Sequence, residues 1–337
     1  MDGSERTRRR RVAVITGGTQ GIGRATAQAF ARSGWAVAVL GRGEARLRAT
    51  ETELTGLGVP ALGIKADIAD AVDAAADRVE RELGPIGAWV NNAMATVIAP
   101  VEKITPVEWR RVTDVTYHGT IFGTLAALRH MRPRNSGHII QVSSGLAVRS
   151  APLQAAYCGA KAAVIGFTDS LRSELIHDEV KVALTVMYLP AVNTPQFERS
   201  RNHMGQAQNA PDPVYDPRLC ADAILSAVRA PSREVWVGRS VLEMVAAQSL
   251  APGLADRQAA KMWDAQLRPT PPAMPEGNLF EPGLGDPGID GPFGDRVKAT
   301  RQEFFTSRAR DAALAGVAGL AGLVAQGAGS LRPNRRG

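Results

Sequence analysis

The chain has 337 residues, 45% of them hydrophobic, which is enough apolar material for a buried core and excludes a disordered or fibrous protein. Its formal charge of +7 sits mostly in two tails: Arg6, Arg8, Arg9, Arg10 and Arg11 against Asp2 and Glu5 at one end, Arg332, Arg335 and Arg336 at the other. The body is nearly neutral, which argues against nucleic acid as a partner, while two cysteines exclude a disulfide framework and five scattered histidines offer no metal site.

Residues 1–10 read as a basic, disordered leader. The arginines run straight into "VAVITGG" with no apolar h-region, so a signal peptide is not expected and a cytoplasmic location is. The first predicted strand, "RVAVIT" (11–16), ends in "TGGTQGIGRA". Gly17, Gly21 and Gly23 stand there between a strand and a helix (22–33), where glycines let backbone N–H groups approach a pyrophosphate. The second strand, "AVAVL" (36–40), leads into "GRGE". An acid at this turn would bind the ribose 2′-hydroxyl of NAD; Gly41 supplies none, and Arg42 suits the 2′-phosphate of NADP. Glu44 reads as a first-turn acid of the next helix, 44–57.

Further strands are predicted at "PALGIK" (60–65), "IGAWVNN" (86–92), "GHIIQVS" (137–143), "VKVALTVMY" (180–188) and "REVWVG" (233–238). Helical spacing fills 70–83, 107–131 and 155–178 between them. Continuous apolar strands alternating with helices predict a Rossmann-type α/β doubly wound parallel sheet of about seven strands, one domain over 11–240. Residues 241–337 read as an extension: helices at 240–250 and 254–267 around Pro252-Gly253, then a linker, 268–296, with seven prolines and six glycines. A helix from about 297 ends in the uncharged run Ala312–Leu331. That run is marginal as a bilayer span, and suits a packed helix or one lying on a membrane surface.

In "AAYCGAKAAV" the predicted helix 155–178 places Tyr157 and Lys161 on one face, four residues apart. With the glycine turn and Arg42, these residues resemble the short-chain dehydrogenase/reductase family, in its single-domain branch, over about residues 10–240. The resemblance implies that Gly17, Thr19, Gln20, Gly21, Ile22 and Gly23 bind the dinucleotide. Asp67 and Ile68 in "KADIAD" would meet the adenine. "NNAM" stands where the family has "NNAG", keeping Asn92 and Ala93, and "LPAVNT" keeps Pro190 and Thr194. Ser144, 13 residues before the tyrosine, would hold the substrate oxygen, Tyr157 would be the acid/base, and Lys161 would serve both the phenol and the nicotinamide ribose. The family's helix asparagine is replaced by Thr116 in "DVTYHG", a departure that puts its catalytic part in doubt.

The implied activity is hydride transfer between NADP(H), with NAD the weaker candidate, and a carbonyl or secondary alcohol. The Tyr-x-x-x-Lys interval favours carbonyl chemistry over enoyl reduction. Met94, Leu146, Val148, Phe197 and Met204 point to an apolar small-molecule substrate, and a homo-oligomer is expected. The rival reading is a dinucleotide-sensing binding protein without turnover, carrying a C-terminal interaction or membrane module; it would explain Thr116 and Met94 but not the retained Ser144, Tyr157 and Lys161.

Overall fold

The computed structural model describes residues 11–70, 72–300 and 302–308. Eight strands form its main sheet: Val12–Thr16 (β1), Ala36–Gly41 (β2), Ala61–Lys65 (β3), Ile86–Asn91 (β4), His138–Ser144 (β5), Ala183–Leu189 (β6), Glu234–Val237 (β7) and Phe304–Thr306 (β8). They lie in the order β3-β2-β1-β4-β5-β6-β7-β8, the first seven parallel. The sheet is α/β and doubly wound, as the alternation predicts.

Alternate residues of the central strands feed two cores. Val12 and Val14 join Ala38, Trp89 and Ile139 on one face, while Ala13 and Ile15 join Val37, Val39, Val90 and Ile140 on the other. A strand covered on both faces has no need of polar alternation, which is why these runs read as continuous Val and Ile. The covering helices include Gly21–Arg32 (α1), Glu44–Gly56 (α2), Asp73–Glu82 (α3), Pro106–Thr113 (α4), Gly119–Met131 (α5), Ala155–His177 (α6) and Pro217–Arg229 (α7). Thr105 caps α4 in a reciprocal box with Glu108, with Pro106 in its first turn. The single helix expected over 107–131 is interrupted: Asp114–His118 forms a π-helical turn between α4 and α5.

Two expectations for the C-terminal region are corrected. The described residues between 297 and 306 contain no helix. Instead Phe304–Thr306 pairs antiparallel with β7, Val235 opposite Thr306 and Val237 opposite Phe304. Aromatic and β-branched side chains suit this edge, and Glu303 fixes it, its carbonyl accepting from Gly238 N at 2.7 Å and its carboxylate from the Tyr215 hydroxyl at 3.0 Å. Residues 268–296 do lack long elements, but they are no free linker. Leu279, Ile289 and Phe293 are buried, and the segment lies across the loops that follow β1 and β2. The leader 1–10 and the run 312–331 lie outside the described residues. Among the described residues no helix is long and apolar enough to cross a membrane.

Because β1 sits between β2 and β4, the chain leaves the middle of the sheet in opposite directions and opens a crevice at the strands' C-terminal ends.

Candidate active site

The crevice begins at the glycine turn. Gly17 has φ +64°, a conformation side chains disfavour, and a Cβ on Gly23 would run into the Gly17 carbonyl. Thr16 ties the two sides together: its hydroxyl donates to Val90 O at 3.3 Å and accepts from Asn92 N at 3.0 Å and Ala93 N at 3.1 Å. Asn92 returns the link, its Nδ2 donating to Thr16 O at 3.0 Å and Gly17 O at 3.2 Å. Asn91 instead points into the core, where Trp89 Nε1, Thr124 and Gln141 satisfy it.

A cavity of about 740 Å³ runs from this turn past Asp67, Ile68 and Ala93 to Ser144, Tyr157 and Lys161, with Pro190 and Thr194 along one wall. Thr19, Gln20, Ile22 and Arg42 line it too, so the residues proposed from sequence share one cleft. Thr116 does not line it. It is fully buried in the π turn, where its hydroxyl donates to Ala95 O at 3.1 Å and accepts from Ala95 N at 3.0 Å.

At the adenosine end the Pro/Gly-rich segment forms a strap. The Arg42 guanidinium donates to three of its carbonyls: Asn278 at 2.5 Å, Phe280 at 2.6 Å and Leu279 at 3.3 Å. Arg111 donates to Leu279 O at 3.1 Å and to the Asp67 carboxylate at 2.5 Å. Burial pushes the Asp67 carboxyl up, but Arg111 and the Ala69 amide outweigh it and hold the group below its ordinary value. Further along, Arg24 pairs with Asp286 and Glu53, and Gly21 N donates to Gly288 O at 3.0 Å. Arg46 of α2 reaches the same corner, donating to Gln20 Oε1 at 2.9 Å.

At the other end, α6 presents Tyr157 and Lys161 from adjacent turns. Lys161 is 2% exposed, its Nζ donates to Val142 O at 2.5 Å, and it lies 5.8 Å from the centre of the Tyr157 ring. Burial lowers the ammonium to about 7 and raises the phenol well above its ordinary value, with the Ser144 hydroxyl pulling the phenol back down. Both groups are thus biased toward their neutral forms, which leaves the phenol as a proton donor. Ser144 is fixed where β5 ends, its Oγ accepting from Leu146 N at 3.1 Å.

Met94, Leu146 and Phe197 line the cavity as well, together with Met244 and Met262 from beyond residue 240. Val148 packs into a separate cluster with Val186 and Tyr188, and neither it nor Met204 lines the cavity. Two of the amides here occupy each other, Gln154 Nε2 donating to Gln266 Oε1 at 2.6 Å and Gln266 Nε2 to Pro152 O at 3.0 Å, whereas the buried Gln208 Oε1 has no partner among the described residues. Sequence reasoning missed Arg46, Arg111 and the whole contribution of residues 240–296.

The short chain dehydrogenase family profile matches residues 11–205. An uncharacterized oxidoreductase of Bacillus subtilis, YxnA, is 30% identical over 280 residues, 81% of this chain and 79% of its own. Galactitol 2-dehydrogenase of Agrobacterium fabrum is 35% identical over 175 residues, 51% of this chain and 67% of its own. Among solved structures, an alcohol dehydrogenase of the archaeon Thermococcus sibiricus, complexed with 5-hydroxy-NADP, has the same fold. Its TM-score is 0.57 at 23% identity, covering 67% of this chain and 95% of that one.

Proposed function

The chain belongs to the short-chain dehydrogenase family, and on that premise we propose that it interconverts an apolar carbonyl compound and its alcohol with NADP(H). The observation that carries this is the single cleft with a glycine turn at one end and Ser144, Tyr157 and Lys161 at the other. The turn fits a dinucleotide: its glycines leave the space that side chains would fill, and α1 starts there with no acid in its first turn.

When bound, the dinucleotide supplies or accepts the hydride at its nicotinamide. The protein's part is to hold the substrate oxygen and move one proton. The Ser144 hydroxyl fixes the oxygen, and the protonated Tyr157 phenol donates to it as a carbonyl is reduced. In the reverse direction the phenolate accepts that proton. Lys161, when protonated, favours the phenolate and so lowers the cost of this exchange. Thr116 acts through position, tying the π turn to the loop after β4. NADP is favoured over NAD because Gly41 offers no carboxylate while Arg42 and Arg46 both line the adenosine end. The substrate is read as apolar because Met94, Leu146, Phe197, Met244 and Met262 line the cavity.

The test is NADPH- and NADH-linked turnover over a panel of ketones and aldehydes, with Tyr157→Phe beside the parent. Loss of the proton donor should cut kcat by about 100-fold or more, with cofactor affinity nearly unchanged. A Tyr157→Phe enzyme within tenfold of the parent would refute the assignment. A folded parent that binds dinucleotide but turns over nothing in the panel would favour the sensing protein.

A further inference from the structure

Resting on the NADP reading above, we propose that Arg46, seated over Gly43 and held by Gln20, is the residue that takes the 2′-phosphate, while Arg42 is a positioning residue that clasps the strap. The two guanidiniums reach the same corner in different states of engagement. Arg42 has three main-chain carbonyls within reach and Asp67 at 3.9 Å, so its donors are largely committed to the protein itself. Arg46 is 8% exposed, yet among the described residues no carboxylate lies within ion-pair distance of it.

Its one side-chain partner is the neutral Gln20 of the glycine turn, at 2.9 Å. Its charged neighbours make the site more cationic still: Arg199 and Arg42 act on it more strongly than Asp286 does. Burying a guanidinium without a carboxylate is costly, and a dianionic phosphate at the mouth of the cavity would remove that cost. The seat is shaped for it as well. A Cβ on Gly43 would come within 2.9 Å of Arg46 Nε and 3.0 Å of Nη2, so glycine at this position is what lets the guanidinium lie there. Gly43 has an ordinary negative φ of −87°, so an alanine would displace the side chain without straining the backbone.

Equilibrium binding of NADPH and NADH by fluorescence, with adenosine 2′,5′-bisphosphate and AMP as adenosine-end probes, separates the two arginines. Arg46→Ala should weaken NADPH and the bisphosphate about 10- to 100-fold while leaving NADH and AMP within about threefold. Retained NADH binding also shows that the variant is folded. Gly43→Ala should reproduce the loss in smaller measure, and Arg46→Lys should restore part of it. Arg42→Ala should weaken both cofactors by similar factors and speed chymotryptic cleavage after Phe280 in the released strap. The inference is overturned if Arg42→Ala removes the preference for NADPH and Arg46→Ala does not. A parent protein that binds NADH more tightly than NADPH overturns the NADP reading itself, and is seen before any variant is compared.

Discussion

Replacing Lys161 by methionine should make the ligand-free protein more stable at low pH and no more stable at high pH. The ammonium is 2% exposed, and burial lowers it from 10.5 to about 7. The unfolded chain therefore binds more protons than the folded one between those two values, and stability rises with pH across that window. At about 1.4 kcal/mol per pH unit, the folded protein at pH 6 carries a penalty of about 5 kcal/mol for holding the charge. Methionine has similar length and no charge, so the penalty disappears. What is lost is the hydrogen bond to the buried Val142 O, worth about 1–3 kcal/mol. Lys161→Met should then gain about 2–4 kcal/mol at pH 6 and fall to equality or below at pH 9.5. Urea denaturation of both proteins at the two pH values, followed by tryptophan fluorescence, measures this, and turnover should fall in the same variant. A stability difference that stays within about 1 kcal/mol from pH 6 to pH 9.5 would refute the buried-charge account.

Thr116→Val keeps the shape but strips both hydrogen bonds from Ala95, and should cost about 2–4 kcal/mol in urea titrations while kcat of the folded enzyme stays within tenfold. A large kcat loss without destabilisation would make Thr116 catalytic after all. Glu108 is buried, which would raise its carboxyl, but donors from Thr105, Arg201 and His203 hold it down at about 2. A depressed acid stabilises above its unfolded value and loses that effect as pH falls, so the deficit of Glu108→Gln should shrink from about 3 kcal/mol at pH 7 to about 1 at pH 3. A chain ending at Arg308 retains β8 and should bind dinucleotide like the full chain; a folded truncation with lost binding would place the removed residues in the site.

The sheet was legible because its central strands are buried on both faces, and a run such as Val12–Thr16 has no other use. Tyr157 and Lys161 stood out through their helical spacing, and the glycine turn through its place between strand and helix. The strap escaped because its grip on Arg42 uses carbonyls, which every sequence provides, at a separation of 236 residues. Nothing in the sequence set Arg46 apart on α2, since its burial depends on tertiary packing and on the contact with Gln20. The π turn at Asp114–His118 and the three-residue strand β8 are too short to impose a period of their own.

Both ends of the strap are sewn into β-structure, Leu267 and Arg268 onto Gln208 and Ala207, and Phe304–Thr306 onto β7. The three carbonyls that grip Arg42 therefore behave as a tethered partner for it, present at an effective concentration on the order of millimolar however dilute the protein. Any ligand that binds under the closed strap has its apparent affinity multiplied by the fraction of molecules in the closed form. Shortening or stiffening the strap away from Asn278 and Arg296, which line the cavity, would move that fraction, and cofactor affinity with it, while leaving the glycine turn, Ser144, Tyr157 and Lys161 as they are.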